Sequence, residues 1–177
     1  IVIKVTSTEC HIWVLTSNAD SPTLNLSANE VVVSGNCHRE TVRVGKYAFI
    51  HLLSFTSSEP FEDTARIGYS LSFSDDAQQA SWENEQRGLL YDGQSSLCFH
   101  YTETPETILH GSCRKPHFHS DDALAQVDVL HKNAFKKEND FPDLLLMTGD
   151  QIYADDVAGP MLKAIHSVID RLGLYLS

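Results

Sequence analysis

The stretch Leu144-Leu145-Leu146-Met147-Thr148-Gly149-Asp150-Gln151-Ile152-Tyr153-Ala154-Asp155 decides how the rest of the chain reads. Its apolar run, Leu144 to Met147, bounded by turn signals, is the pattern of a buried parallel strand. Gly149 lets the backbone turn sharply at the strand's end, and Asp150 then presents a hard oxygen ligand at the tip. Tyr153 and the carboxylates of Asp155 and Asp156 follow within a few residues. Open α/β sheets place their chemistry just beyond the carboxyl ends of such strands. The turn therefore has the composition of a metal site.

Working outward, Thr107-Ile108-Leu109-His110-Gly111-Ser112-Cys113-Arg114-Lys115-Pro116-His117 is a second short strand ending in a turn of small residues. Between the two strands, Leu124, Val127, Leu130, His131, Ala134 and Phe135 recur at steps of three and four, which predicts a helix. Ser120 and the Asp121-Asp122 pair suit its start, and Lys136 and Lys137 its end. Thr107 to Thr148 thus reads as a βαβ unit, whose right-handed crossover makes the strands parallel. As neighbours they would set Cys113 and Asp150 roughly 5 Å apart at the backbone, near enough to share a metal or a metal pair.

These two turns, Gly-Ser-Cys-Arg-Lys-Pro-His and Gly-Asp-Gln-Ile-Tyr-Ala-Asp, resemble the opening motifs of the PhoD-like metallophosphoesterases, also called alkaline phosphatase D, within the calcineurin-like superfamily. Most of that superfamily opens with Asp-x-His; the PhoD-like branch carries a cysteine ligand instead, and this chain has the cysteine. The resemblance is specific from Leu109 to Val157 and rests on architecture alone before that, the family having an all-β domain ahead of its catalytic one. It implies that Cys113 is a thiolate ligand to Fe3+, that Asp150 bridges two metals and carries the catalysis, and that Tyr153 is a phenolate ligand to the iron. Anionic sulfur and oxygen donors suit a trivalent ion, and a bridging carboxylate holds two cations within ~4 Å. The second metal implied is Ca2+, which accepts oxygen ligands in flexible geometry. The expected activity is hydrolysis of phosphate mono- or diesters, the partner being a phosphorylated small molecule or a phosphodiester. The family's later ligands, an Asn-His-Asp motif and further Asp and His residues, have no counterpart here. The chain is accordingly expected to be a fragment, inactive alone, that holds the opening βαβα part of a truncated α/β metallophosphoesterase domain.

Arg114 and Lys115 are candidates to clamp phosphate oxygens, with a solvated turn as the plainer reading. His117 and His119 stand at metal-ligand spacing and are candidates for substrate contact. Each ligand also has a plainer reading: Cys113 as a small buried hydrophobe, Asp150 as a cap, Tyr153 as a packing aromatic. Asp155 and Asp156 read best as acidic residues favoured ahead of a helix.

Ahead of this region the chain reads as strands: Ile1 to Val5, Cys10 to Leu15, Glu30 to Val33, Thr41 to Val44, Ala48 to Phe55 and Ala65 to Phe73, separated by Gly, Asn, Ser and Pro clusters. Leu89 to Phe99 reads as an Asp-Gly hairpin. The expectation is an antiparallel β-sandwich over 1–104, followed by the catalytic part over 105–177, with Pro105 marking the boundary. After the site, Pro160 opens a helix whose Met161, Leu162, Ile165, Val168, Ile169 and Leu172 form one apolar face expected to pack on the sheet.

With 24 acidic against 13 basic residues the net charge is −11, which argues against nucleic-acid binding through phosphate contacts. It leaves a phosphorylated substrate open, because metal charge acts locally. No apolar run approaches the length of a membrane span. The four cysteines, Cys10, Cys37, Cys98 and Cys113, are too scattered for a disulfide framework and form no CxxC pair for structural zinc. Acidic charge and unpaired thiols point to a cytoplasmic location, with export as the alternative. From a different functional class, the rival is a non-enzymatic β-sandwich binding module with a degenerate α/β tail, since the fold alone decides no function.

Overall fold

A computed structural model describes residues 1–115, 119, 121–137, 141–151, 153 and 155–175, with Lys137 described by its backbone. The described residues are mostly β-sheet, with three helices among them, and the chain divides into two units: Ile1–Glu103 with Val168–Ser177, and Thr104–Ser167.

In the first unit, β1 (Val2–Val5), β2 (Glu9–Thr16), β5 (Gly35–Gly45) and β6 (Ala48–Ser57) form one antiparallel sheet in the order β1-β2-β6-β5. A second antiparallel sheet is ordered β4-β3-β7-β8, from β3 (Thr23–Ala28), β4 (Val31–Val32), β7 (Arg66–Ser72) and β8 (Leu97–His100). Period-two alternation explains how both sheets feed one core. Cys10 and Ile12 of β2 and Leu53 and Phe55 of β6 meet Leu24 and Leu26 of β3 and Ile67 and Leu71 of β7. Phe61 and Tyr101 complete the cluster, their rings edge-on at 5.8 Å.

One polar group lies inside this apolar unit. His51 of β6 is 0% exposed, with Nε2 2.7 Å from the Thr16 hydroxyl and Nδ1 2.8 Å from that of Thr41. Thr16 gives its own proton to the Asn18 carbonyl at 2.6 Å, so it accepts from Nε2–H, and Nδ1 accepts from Thr41. Burial holds the imidazole below its ordinary basicity.

Three elements of this unit depart from the sequence reading. β3 was not expected, although Leu24 and Leu26 alternate with exposed Thr23 and Asn25. The link to β4 turns through Asn29 and Glu30, both at positive φ (48° and 66°), as a tight hairpin requires. α1 (Asp76–Leu89) was also unexpected; Asp75 caps it by accepting the Gln78 N–H at 2.8 Å, and none of its residues is buried. The hairpin expected over Leu89 to Phe99 does not form. Leu89 ends α1, Tyr91 to Gln94 make the turn with an N–H to carbonyl bond of 2.9 Å, and β8 pairs with β7. The Asp-Gly turn signal was sound, but the residues before it had already been taken by a helix.

The second unit holds β9 (Ile108–Gly111), α2 (Ala123–Lys137) and β10 (Leu144–Met147), and β10 pairs with β9 in parallel, Leu144 opposite Ile108 and Met147 opposite Gly111. Asp143 secures the entry by accepting the N–H groups of Glu106 and Thr107, each at 2.9 Å. The expectation of a buried strand fails here. Leu144, Leu145 and Leu146 are 42%, 42% and 45% exposed, and Ala134 is the one buried residue among those described in this unit. The reason is the width of the sheet: parallel strands are buried when further strands and helices cover them, and among the described residues no third strand joins β9 and β10.

α3 (Gly159–Leu172) opens at Gly159 with the expected Pro160 in its first turn, and the Leu162 N–H is bonded to the Ala158 carbonyl at 3.0 Å. Its apolar face is not packed on a sheet as expected, for Met161, Leu162, Ile165 and Val168 are all exposed and no residue of the helix is buried. The chain after it returns to the first unit. Lys46 and Tyr47 donate to the Gly173 and Leu172 carbonyls at 2.8 and 2.9 Å, and Leu174 bridges Gly45. Gly173 makes this approach possible: its φ is +56°, and a Cβ there would stand 2.8 Å from that of Lys46.

Candidate metal centre

The parallel register of β9 and β10 sets the chemistry of the second unit. Since Met147 lies opposite Gly111, the Thr148 N–H reaches the Gly111 carbonyl at 3.0 Å, and the two chains leave the strands side by side. Cys113 follows on one and Asp150 on the other.

The Cys113 sulfur is where they meet. It lies 3.2 Å from the Ser112 hydroxyl, and the Tyr153 hydroxyl and the Asp150 backbone N–H act on its titration in the same sense. These donors, Ser112 first, hold the thiol below its ordinary value by stabilising the thiolate. Tyr153 is pushed up correspondingly, chiefly because its proton is given to Cys113. Cys113 itself sits at φ +56°, a left-handed conformation that costs a non-glycine residue and is concentrated at functional sites. Gly149 is what allows the turns so close: a Cβ there would fall inside the Ser112 hydroxyl and lie 3.0 Å from the Cys113 sulfur. The structure thus brings Cys113, Asp150 and Tyr153 together.

The two candidate phosphate clamps are held elsewhere. Arg114 makes a forked ion pair with Asp122, with Nη2 to Oδ2 at 2.6 Å, which raises the guanidinium and lowers the carboxyl from their ordinary values. Asp122 also caps α2, its Oδ1 accepting the Leu124 N–H at 3.0 Å, so Arg114 ties the cysteine turn to the helix start. Lys115 is paired with Asp156. His117 lies outside the described residues, as do Ser120, Ile152 and Ala154, while His119 is exposed.

Sequence reasoning placed Asp122 at the helix start but missed its pairing with Arg114, the contact of Ser112 and the partnership of Asp156, and it gave no role to His110, whose Nε2 is 2.6 Å from the Thr148 hydroxyl across the strand pair. His110 stands three residues before Cys113 and Thr148 two before Asp150; with His110 opposite Leu146, Thr148 lies two residues further along on the same face. Beside the site lies a cavity of about 580 Å³ between the sheet and α2, apolar at Leu109, Leu124, Val127 and Met147 and polar at Cys113, Arg114, Lys115 and Tyr153.

Among the described residues no group of three or more His, Cys, Asp or Glu side chains is arranged to hold a metal ion. Cys113 and Asp150 are two such donors, and the phenol of Tyr153 is a third of another kind. In charge the trio suits a trivalent cation, since all three become anionic on losing a proton, the thiolate being a soft donor beside two hard oxygens; in number it is part of a coordination sphere. Among the described residues, no helix is long and apolar enough to cross a membrane. No family model, curated protein or solved structure matches the chain.

Proposed function

We propose that the second unit carries part of the binuclear centre of a metal-dependent phosphoesterase, of the PhoD-like kind that its two turns resemble, acting on phosphate mono- or diesters. The observation that carries this reading is that the Cys113 and Asp150 turns leave two parallel strands side by side, with Gly149 packed against the Cys113 sulfur and Tyr153 lining the same cavity as Cys113. A structural cysteine has no need of a left-handed backbone.

In this reading Cys113, Tyr153 and Asp150 would be the residues that hold the metals, Fe3+ and Ca2+ by the family resemblance. Such a centre, when bound, supplies a water more acidic than bulk and positive charge for the phosphoryl group. The residues' own part is to be ready for it. The Ser112 hydroxyl and the Asp150 N–H lower the thiol's hold on its proton, which reduces the proton cost of ligation. Gly149 keeps the carboxylate turn against the cysteine turn. Arg114 and Lys115 would reach phosphate only by leaving Asp122 and Asp156.

The test is iron loading of the chain as it stands. Wild-type protein should retain Fe3+ through gel filtration and show a visible charge-transfer band. Cys113→Ser and Tyr153→Phe should each alter that band, and Asp150→Asn should lose retained metal with an unchanged far-ultraviolet circular dichroism spectrum. Colourless wild-type protein that retains no iron would overturn the proposal.

A further inference from the structure

We propose that Lys115 and Asp156 form a strap that positions Tyr153 over the Cys113 sulfur. The inference rests on the metal reading for its purpose, and on side-chain geometry for its existence.

Tyr153 lies on the stretch between β10 and α3, outside regular structure, so backbone pairing in a sheet does not aim its ring. Contacts do. Lys115, two residues past Cys113, reaches across 41 positions of sequence to pair with Asp156. On the way its ammonium stands 5.9 Å from the centroid of the Tyr153 ring, within range of attraction to the ring face. The Asp156 N–H in turn bonds the Tyr153 carbonyl at 3.3 Å, closing a tight turn. Tyr153 and Cys113 line the same cavity as Lys115, and the phenol and the thiol act on each other's titration. The strap runs from Cys113 to Lys115 along one turn, across to Asp156 and back to Tyr153, beside Cys113. Lys115 is thereby a positioning residue for a ligand, a role distinct from the phosphate contact that its neighbourhood suggests, because its charge is already answered by Asp156.

The strap predicts how Tyr153 behaves without any metal. In the metal-free chain, nuclear Overhauser contacts should link the Tyr153 ring protons to the Cys113 β-protons. Lys115→Met, which keeps the apolar stem, and Asp156→Asn should each lower the ratio of closed to open ring by up to about fivefold, the effect of losing a partly exposed ion pair. The exchanged variant Lys115→Asp with Asp156→Lys should recover the contacts, and 0.5 M salt should weaken them in wild type. Wild-type intensities in both single variants would overturn the strap, as would failure of the exchange to restore them. The iron-loaded chain gives the second readout: its charge-transfer band should shift in the single variants and return in the exchange. Overhauser contacts that follow this pattern in a wild type that takes up no iron would uphold the strap and overturn the metal reading. An iron band indifferent to Lys115 and Asp156 would do the reverse.

Discussion

Lowering the pH should destabilise the β-rich unit through His51, and the size of the effect follows from its surroundings. The imidazole is 0% exposed, with Nε2–H given to Thr16 and Nδ1 accepting from Thr41. Burial lowers its basicity from the ordinary 6.5, against smaller opposing effects of the Asn18 carbonyl and the Asp20 charge. A lowered value in the folded state fixes the sign. Well above pH 6.5 the ring is neutral whether folded or unfolded, and the contribution is fully present. As pH falls through that value the unfolded chain takes up a proton first, so stability is lost until the folded-state value is passed. The limiting slope is about 1.4 kcal/mol per pH unit, so one unit below the ordinary value removes at most about 1.4 kcal/mol. Urea midpoints followed by fluorescence of Trp13 and Trp82, both in this unit, would report it. Wild type and His51→Gln, whose side chain does not titrate, should be compared between pH 8 and pH 5.5, taking the difference of slopes so that other histidines cancel. Parallel curves for the two proteins would refute the reasoning, and so would a wild type that gains stability over the variant on acidification.

Two further outcomes follow from packing. Leu53→Ala, at a position 0% exposed between the two sheets, should cost about 2–5 kcal/mol by the same urea measurement, the range for emptying a buried leucine site. Gly149→Ala should force the Ser112 hydroxyl to rotate away and the Cys113 backbone N, 3.1 Å from the new Cβ, to retreat; iron retention should fall while the urea midpoint of the β-rich unit stays at its wild-type value.

Much of the β-rich unit was legible because its strands alternate. Cys10 and Ile12, or Leu53 and Phe55, face inward at every second position, and that pattern needs no knowledge of partners. β3 carried the same signal in Leu24 and Leu26, in a segment too polar overall to draw notice. α1 carried none, since a helix with no buried residue has no apolar stripe, and only Asp75 as its cap announced it. The Leu89 to Phe99 hairpin misread the same segment from its other end.

The candidate site shows the division most clearly. That Cys113 and Asp150 would end neighbouring strands was readable, because a strand, a helix and a strand in that order leave one handedness of connection. Tyr153 came with the motif. The partners did not. Asp122 reaches Arg114 over 8 positions and Asp156 reaches Lys115 over 41, and no periodicity encodes where a long side chain ends.

Local chemistry by itself determined the parallel β9–α2–β10 unit, most strands of the β-rich unit, the net acidic charge and the place of the Gly149 turn, since each depends on a residue and its near neighbours. Tertiary structure alone decided that Leu144, Leu145 and Leu146 stand half exposed, that 173–175 return to the edge of β5, and that both motif cations are already paired. Burial and ion pairing depend on what else arrives at the same place, and a strand's own residues say only that it would gain by being covered.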